Sequence, residues 1–175
     1  MKRVGWKGRI RASSLAAGRR EKVEDGATLA PMTAPFRYRT RVRWAECDLQ
    51  GVAFYPNYLA WFDLVLTELW RAGGLPYPEM IAGGADMVVA EASIRYRASA
   101  RFDDEIDLLA TVRRLGSTSI TTSMAIERAQ DGRLLAEGEL RHVCVDPQSM
   151  EKREIPTRLR EALAPFTAAP EPIAR

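Results

Sequence analysis

The stretch WAECDLQGVAFYPNYLAWFD, from Trp44 to Asp63, sets Glu46, Asp48 and a glycine directly before a dense run of aromatics. Acids are seldom buried without a partner, and aromatics mark a core or a pocket. Asp48 falls in a turn, and a helix is predicted to begin near Tyr55–Asn57, its first backbone N–H groups unpaired. A carbonyl held at that helix start would be polarised as in an oxyanion hole, with the Asp48 carboxylate on its other side. Two chemistries fit. Asp48 attacks the carbonyl and forms a mixed anhydride, or it activates water as a general base. Both deliver an acyl group to water, and the spacing does not choose between them. Asp is also an ordinary turn residue, so spacing alone leaves a purely structural reading open.

Other reactive side chains form weaker patterns. Cys47 adjoins Asp48, but the single histidine, His142, lies far along the chain on an alternating segment. A nucleophilic cysteine needs a base close by, and Cys47, Cys144 and His142 lack the spacing of a zinc site. No phosphate-cradling glycine loop and no dinucleotide fingerprint is present. No metal and no redox cofactor is therefore expected.

The elements that must position Asp48 are legible on either side of it. Phe36, Tyr38, Thr40, Val42 and Trp44 alternate with Arg37, Arg39, Arg41 and Arg43. A period of two predicts a half-buried strand, with the arginines as its solvated face. Pro56 suits the first turn of a helix, which should run from about Asn57 to Arg71 and stop at Gly73–Gly74. That helix is apolar almost all round apart from Asn57, Asp63, Thr67 and Glu68, as a buried helix is. A second short helix is predicted near Pro78–Ala82. Alternating segments around 90–99, 105–113, 119–127 and 134–145 read as four strands, with QDGR at 130–133 as a hairpin turn. A last short helix lies in PTRLREALAPF. Four such strands with short connections predict an antiparallel meander. A helix so apolar must be wrapped by that sheet to be hidden. The fold class is α+β, of the hot-dog type: an antiparallel sheet around one long buried helix. Pairing with a second copy would cover the sheet edges.

Composition bounds the rest. The chain has 175 residues, 46% hydrophobic and 28% charged, enough for one domain. No apolar run is long enough to span a membrane. Two cysteines make no disulfide framework, and a reduced, cytoplasmic setting is expected. The sequence pI of about 9.1 is not spread evenly. Residues 1–35 hold eight basic and three acidic residues, leaving 18 basic and 20 acidic for the remainder. The basicity thus belongs to the leading segment, and no nucleic-acid partner is expected for the body. Residues 1–35 are expected to be a disordered basic extension, 36–166 the hot-dog domain, and 167–175 a short tail.

ECDLQGVAFYPNYLAWFD closely resembles the signature segment of the 4-hydroxybenzoyl-CoA thioesterase family: Asp, a glycine, an apolar pair, aromatics, Pro-Asn-Tyr and an aromatic-rich helix. The resemblance continues through AGGLPY and RFDDEI and covers roughly residues 36–160. It implies an acyl-CoA thioesterase with Asp48 at the catalytic position and the backbone N–H near Tyr55 holding the thioester oxygen. It also implies an acyl pocket drawing on Asp63, Tyr58 and Trp61, with Glu68 a weaker candidate. By family analogy the oligomer is a dimer at least, and a homotetramer by preference. Two departures stand out. The turn before the fourth strand reads LGSTS, without the basic residues that often meet CoA phosphates there. Arg113, Arg114 and Arg97, with Arg95 and Arg101, are the possible substitutes. LPYP also stands where the closest aryl-CoA members carry a tryptophan. The alternatives are a non-catalytic acyl-CoA-binding or regulatory protein, or a thioesterase acting on acyl carrier protein.

Overall fold

In the computed structural model, which describes residues 34–168, strand β1 (Phe36–Arg41) leads through a loop into helix α1 (Asn57–Ala72) and the short α2 (Tyr77–Ala82). Strands β2 (Asp86–Tyr96), β3 (Glu105–Leu115), β4 (Ser119–Arg128) and β5 (Leu134–Val145) follow, and α3 (Thr157–Leu163) closes the described chain. All four strand pairings are antiparallel, in the order β1-β3-β4-β5-β2. The hot-dog architecture is as expected, but the meander is shorter. Only β3, β4 and β5 follow one another; β2 crosses over to the far edge and pairs with β5.

The face of α1 bearing Tyr58, Trp61, Phe62, Val65, Leu66, Leu69 and Trp70 is buried against the inner face of the sheet, where Ile106, Leu108, Ile126 and Leu135 are fully enclosed. Burying side chains of this size contributes about 1.5–3 kcal/mol each. One position makes the close approach possible. A Cβ on Gly138 of β5 would stand 2.1 Å from the Ser93 carbonyl oxygen and 3.0 Å from the Phe62 ring, so only glycine lets helix, β2 and β5 meet there.

β1 ends sooner than its alternation suggests. The strand stops at Arg41 and residues Trp44–Glu46 form a 3-10 turn, so Trp44, expected on the inner face, is 75% exposed. The cause is local: Glu46 accepts a hydrogen bond from the Arg43 backbone N–H at 2.7 Å and bends the chain out of the sheet. The arginines of β1 are solvent-facing as expected, yet they also hold carboxylates. Arg37 and Arg39 both donate to Asp107 of β3, at 2.7–2.8 Å, and Asp107 is only 3% exposed.

The Arg39 hydrogen bonds, outweighing burial and helped by Arg37, hold the Asp107 carboxyl below the usual carboxylate range. A depressed pKa contributes stability that is complete above about pH 4 and is lost as pH falls through the folded value. Asp107→Asn should therefore lower stability at neutral pH by about 1–2 kcal/mol, less than for a fully buried pair because both arginines are half exposed. It should also flatten the acid limb of the stability curve. Denaturant titration at pH 7 and pH 3 checks both, and an equal loss at the two pH values would contradict the account.

Candidate active site

The loop between β1 and α1 is stitched to itself. Asp48 N–H donates to Val52 O at 2.9 Å and Gly51 N–H to Asp48 O at 3.0 Å, with Gly51 at φ +73°, where a glycine is at ease. Asp48 Oδ1 accepts from Gln50 N–H at 2.7 Å. Among the described residues nothing donates to Asp48 Oδ2, so that oxygen is open to a water or a substrate carbonyl.

The loop then runs into the helix through Phe54, Tyr55 and Pro56. Phe54 N–H donates to Glu46 O and Asn57 N–H to Phe54 O. Among the described residues no acceptor takes the Tyr55 N–H. The following Pro56 has no N–H, and α1 carries no side-chain N-cap. The helix start therefore presents an unpaired donor where the dipole favours negative charge.

Asp48 stands between two clefts. The first, about 340 Å³, is lined by Asp48, Tyr55, Tyr58, Tyr96, Arg97 and Ser99 among others. The second, about 580 Å³, is lined by Asp48, Trp44, Leu49, Phe54, Asn57 and Phe102 among others, with the Trp44 and Phe102 rings edge-to-face at 5.4 Å. The tyrosines of the first cleft are fixed. Tyr58 OH accepts from Ala100 N–H at 2.9 Å, and Tyr96 OH donates to Tyr55 O at 3.1 Å. Burial pushes both phenols up, so they stay neutral at physiological pH. A further hollow of about 490 Å³ lies on the outer face of the sheet, lined by Leu109, Thr111, Ser123 and Glu137 among others. It contains neither Asp48 nor Tyr55.

The structure brings Asp48, Tyr55, Tyr58 and Arg97 together and keeps the other candidates apart. Arg97 is held by Glu137, its Nε–Oε1 distance 2.9 Å. Trp61 lines neither cleft: it is buried under the loop, its indole N–H donating to Glu46 Oε1 at 3.2 Å. Asp63, expected on a buried helix, faces solvent with Leu59 and Ala60, because the sheet covers only one side of α1. Glu68 is engaged with Arg71. Arg113 and Arg114 sit at the opposite end of β3 from Glu105, which pairs with the end of β1 beside the site. His142 is buried on β5, edge-on to Trp70 at 6.2 Å, and burial depresses its pKa. Cys47 Sγ faces Arg43 O at 3.9 Å. Among the described residues no three His, Cys, Asp or Glu side chains gather as metal ligands.

Sequence reading passed over Glu46. It is 8% exposed, and its carboxylate receives Arg43 N–H, Nε and Nη2 at 2.7, 3.1 and 2.7 Å besides the Trp61 indole. Its backbone oxygen receives Phe54 N–H at 2.8 Å and Asn57 Nδ2 at 2.7 Å. Burial pushes the Glu46 carboxyl up, but the donors from Arg43 and Trp61 outweigh it and hold the pKa below its ordinary value. The available signal was an acid two residues before Asp48, at the spacing of a short capping turn after Arg43.

Fold and site together define a hot-dog protein with a carboxylate poised at a helix start. The chain belongs to the thioesterase-like superfamily, whose family model matches residues 42–163. It is similar to the acyl-CoA thioester hydrolase YbgC of Escherichia coli O6:H1, at 31% identity over 71% of this chain and 92% of that one. Among solved structures it resembles PA5185 of Pseudomonas aeruginosa PAO1, with TM-score 0.72 and 26% identity over 81% and 99% of the two chains. It also resembles the gentisyl-coenzyme A thioesterase BH1999, with TM-score 0.66 and 26% identity over 71% and 99%.

Proposed function

We propose that this chain hydrolyses the thioester of an aryl- or short-to-medium acyl-CoA to the free acid and CoA, with Asp48 as nucleophile or general base. The observation that carries this reading is one cleft lined by both Asp48, with Oδ2 open, and Tyr55, with its N–H unpaired. The chain is a thioester hydrolase. The thioester oxygen lies at the Tyr55 N–H, where the charge that develops on addition is stabilised. Asp48 either adds to the carbonyl carbon or takes a proton from the water that does. Collapse of the adduct breaks the C–S bond and releases the CoA thiolate, which is then protonated; on the nucleophilic route a water then cleaves the acyl–Asp48 anhydride, giving the free acid and restoring the carboxylate. Arg97 is the cation that lines this cleft and the first candidate for the phosphates of CoA, or for an acidic carrier protein bearing the same thioester.

The working unit is a homo-oligomer, a dimer or tetramer. β1 is a short, arginine-rich edge, whereas β2 runs for 11 residues along the other edge with Ala90, Glu91, Ala92 and Ser93 exposed. A long edge strand pairs readily with another strand. Val89 and Tyr96 are 55% and 44% exposed on the same strand. A second copy on this edge completes the acyl pocket beside Tyr58, and Asp63, on the uncovered side of α1, is the further candidate for that pocket. Ala92→Lys, a lysine on the edge, should convert the oligomer to single chains in sedimentation equilibrium; an unchanged mass would place the interface elsewhere.

The test of function is thiol release from a panel of benzoyl-, hydroxybenzoyl- and C4–C12 fatty acyl-CoAs. Turnover of one class above the others names the acyl group. No turnover of any, with carrier-protein thioesters also inert, sinks the reading.

A further inference from the structure

We propose that Glu46 is the positioning residue of the site, the single point that locks the Asp48 loop to the end of β1 and to the first two turns of α1. This inference rests on the thioesterase reading above and concerns how the reacting geometry is kept. Asp48 and the Tyr55 N–H work only if loop and helix start hold one spacing, since a displacement of about 1 Å can cost a hundredfold in rate. Three elements meet at Glu46 and at no other residue of the loop.

The Glu46 carboxylate grips Arg43 through its backbone and guanidinium, fixing the exit of the chain from β1. It takes the indole N–H of Trp61, in the second turn of α1. The Glu46 carbonyl takes Phe54 N–H and the Asn57 side chain, fixing the residues on either side of Tyr55 and Pro56. Oε1 takes three of the donors, Arg43 Nε and Nη2 and the Trp61 indole, and Oε2 takes the Arg43 backbone N–H. Glu46 lines neither of the clefts that hold Asp48, so its effect on the reaction passes through Asp48, two residues on. The neighbouring ties agree with this division of labour. Cys47 bridges Ala53 across the loop, and Ala53 N–H donates to Ala100 O, so the loop is closed crosswise while Glu46 anchors its root.

Glu46→Gln keeps the size and the backbone acceptor but turns an NH2 group toward donors that need an acceptor. The expected result is a fall in kcat of about thirtyfold with KM for acyl-CoA kept within about threefold, because the cleft walls of Tyr58, Tyr96 and Arg97 make their hydrogen bonds with residues other than Glu46. Asp107→Asn is the matched control: an equally buried, arginine-paired carboxylate on the outer face of the sheet. It should lose comparable thermal stability and keep kcat within about twofold when assayed well below its Tm.

If Glu46→Gln retains wild-type kcat, or loses no more than Asp107→Asn, the proposal is overturned. Should Glu46→Gln not fold, Trp61→Phe decides, since it keeps the ring packing and removes one donor to Glu46. A several-fold lower kcat at unchanged KM is expected, and wild-type kcat overturns the proposal. A wild-type chain that cleaves no thioester brings down the thioesterase reading, and the positioning role with it.

Discussion

Asp48→Asn should lower kcat for acyl-CoA hydrolysis by about a hundredfold or more, the scale on which a lost general base or nucleophile shows. The substitution leaves the loop in place. An asparagine oxygen can still accept the Gln50 N–H that Asp48 Oδ1 now accepts at 2.7 Å, and Asn is as suited to such a turn as Asp. Gly51 keeps its left-handed conformation whichever residue stands at 48. What disappears is the negative charge at Oδ2, and with it both the nucleophile and the base. KM should change little, because the cleft walls are the tyrosines of α1 and β2 and the aromatics around Trp44. Steady-state thiol release on the best substrate checks this, and a loss smaller than about tenfold would remove Asp48 from the chemistry.

The second large effect concerns the fold. Gly138→Ala should destabilise the chain by about 3 kcal/mol, the upper end of the usual cost of overpacking, and should depress Tm by about 10 °C for a domain of this size. The added carbon meets the Ser93 carbonyl oxygen at 2.1 Å and the Phe62 ring at 3.0 Å. The first is backbone of the neighbouring strand and the second a fully buried ring of α1, so neither yields cheaply. Because Ser93 lies on the β2 edge, the strain also reaches the strand proposed to meet a second copy. Calorimetry of the variant gives the number, and a Tm within 2–3 °C of wild type would mean that β2 and α1 give way more easily than their packing indicates.

Much of this architecture was legible because it is written locally. The apolar run of α1, bounded by Pro56 and Gly73, gave the helix almost to the residue. The Asp-to-Gly spacing marked the turn that carries the site, and the alternations marked the strands. What the sequence left hidden was non-local. Which edge β2 joins depends on pairing with β5, some 50 residues away, and no period within β2 records that choice. Trp44 continued the alternation of β1, but the carboxylate of Glu46 ended the strand before it.

Asp63 sat in a helix that looked apolar all round, yet a sheet can cover only one side of a cylinder, and the stripe through Leu59 and Asp63 was left facing out. An apolar stripe meant for another chain and one meant for the core look alike in sequence. Glu46 was missed for a related reason. Its partners come from a strand end and a helix, and an acid becomes an anchor only when Arg43 and Trp61 arrive beside it.

The most direct test of Asp48 pairs binding with cleavage on one substrate. Acyl-CoA is mixed with an excess of protein, thiol release is followed through a single turnover for wild type and Asp48→Asn, and the affinity of each is measured by calorimetry. Comparable binding by both is expected, with rapid thiol release by wild type and release slowed about a hundredfold or more in the variant. A wild-type chain that binds acyl-CoA and releases no thiol would contradict the thioesterase reading and leave an acyl-CoA-binding protein in its place.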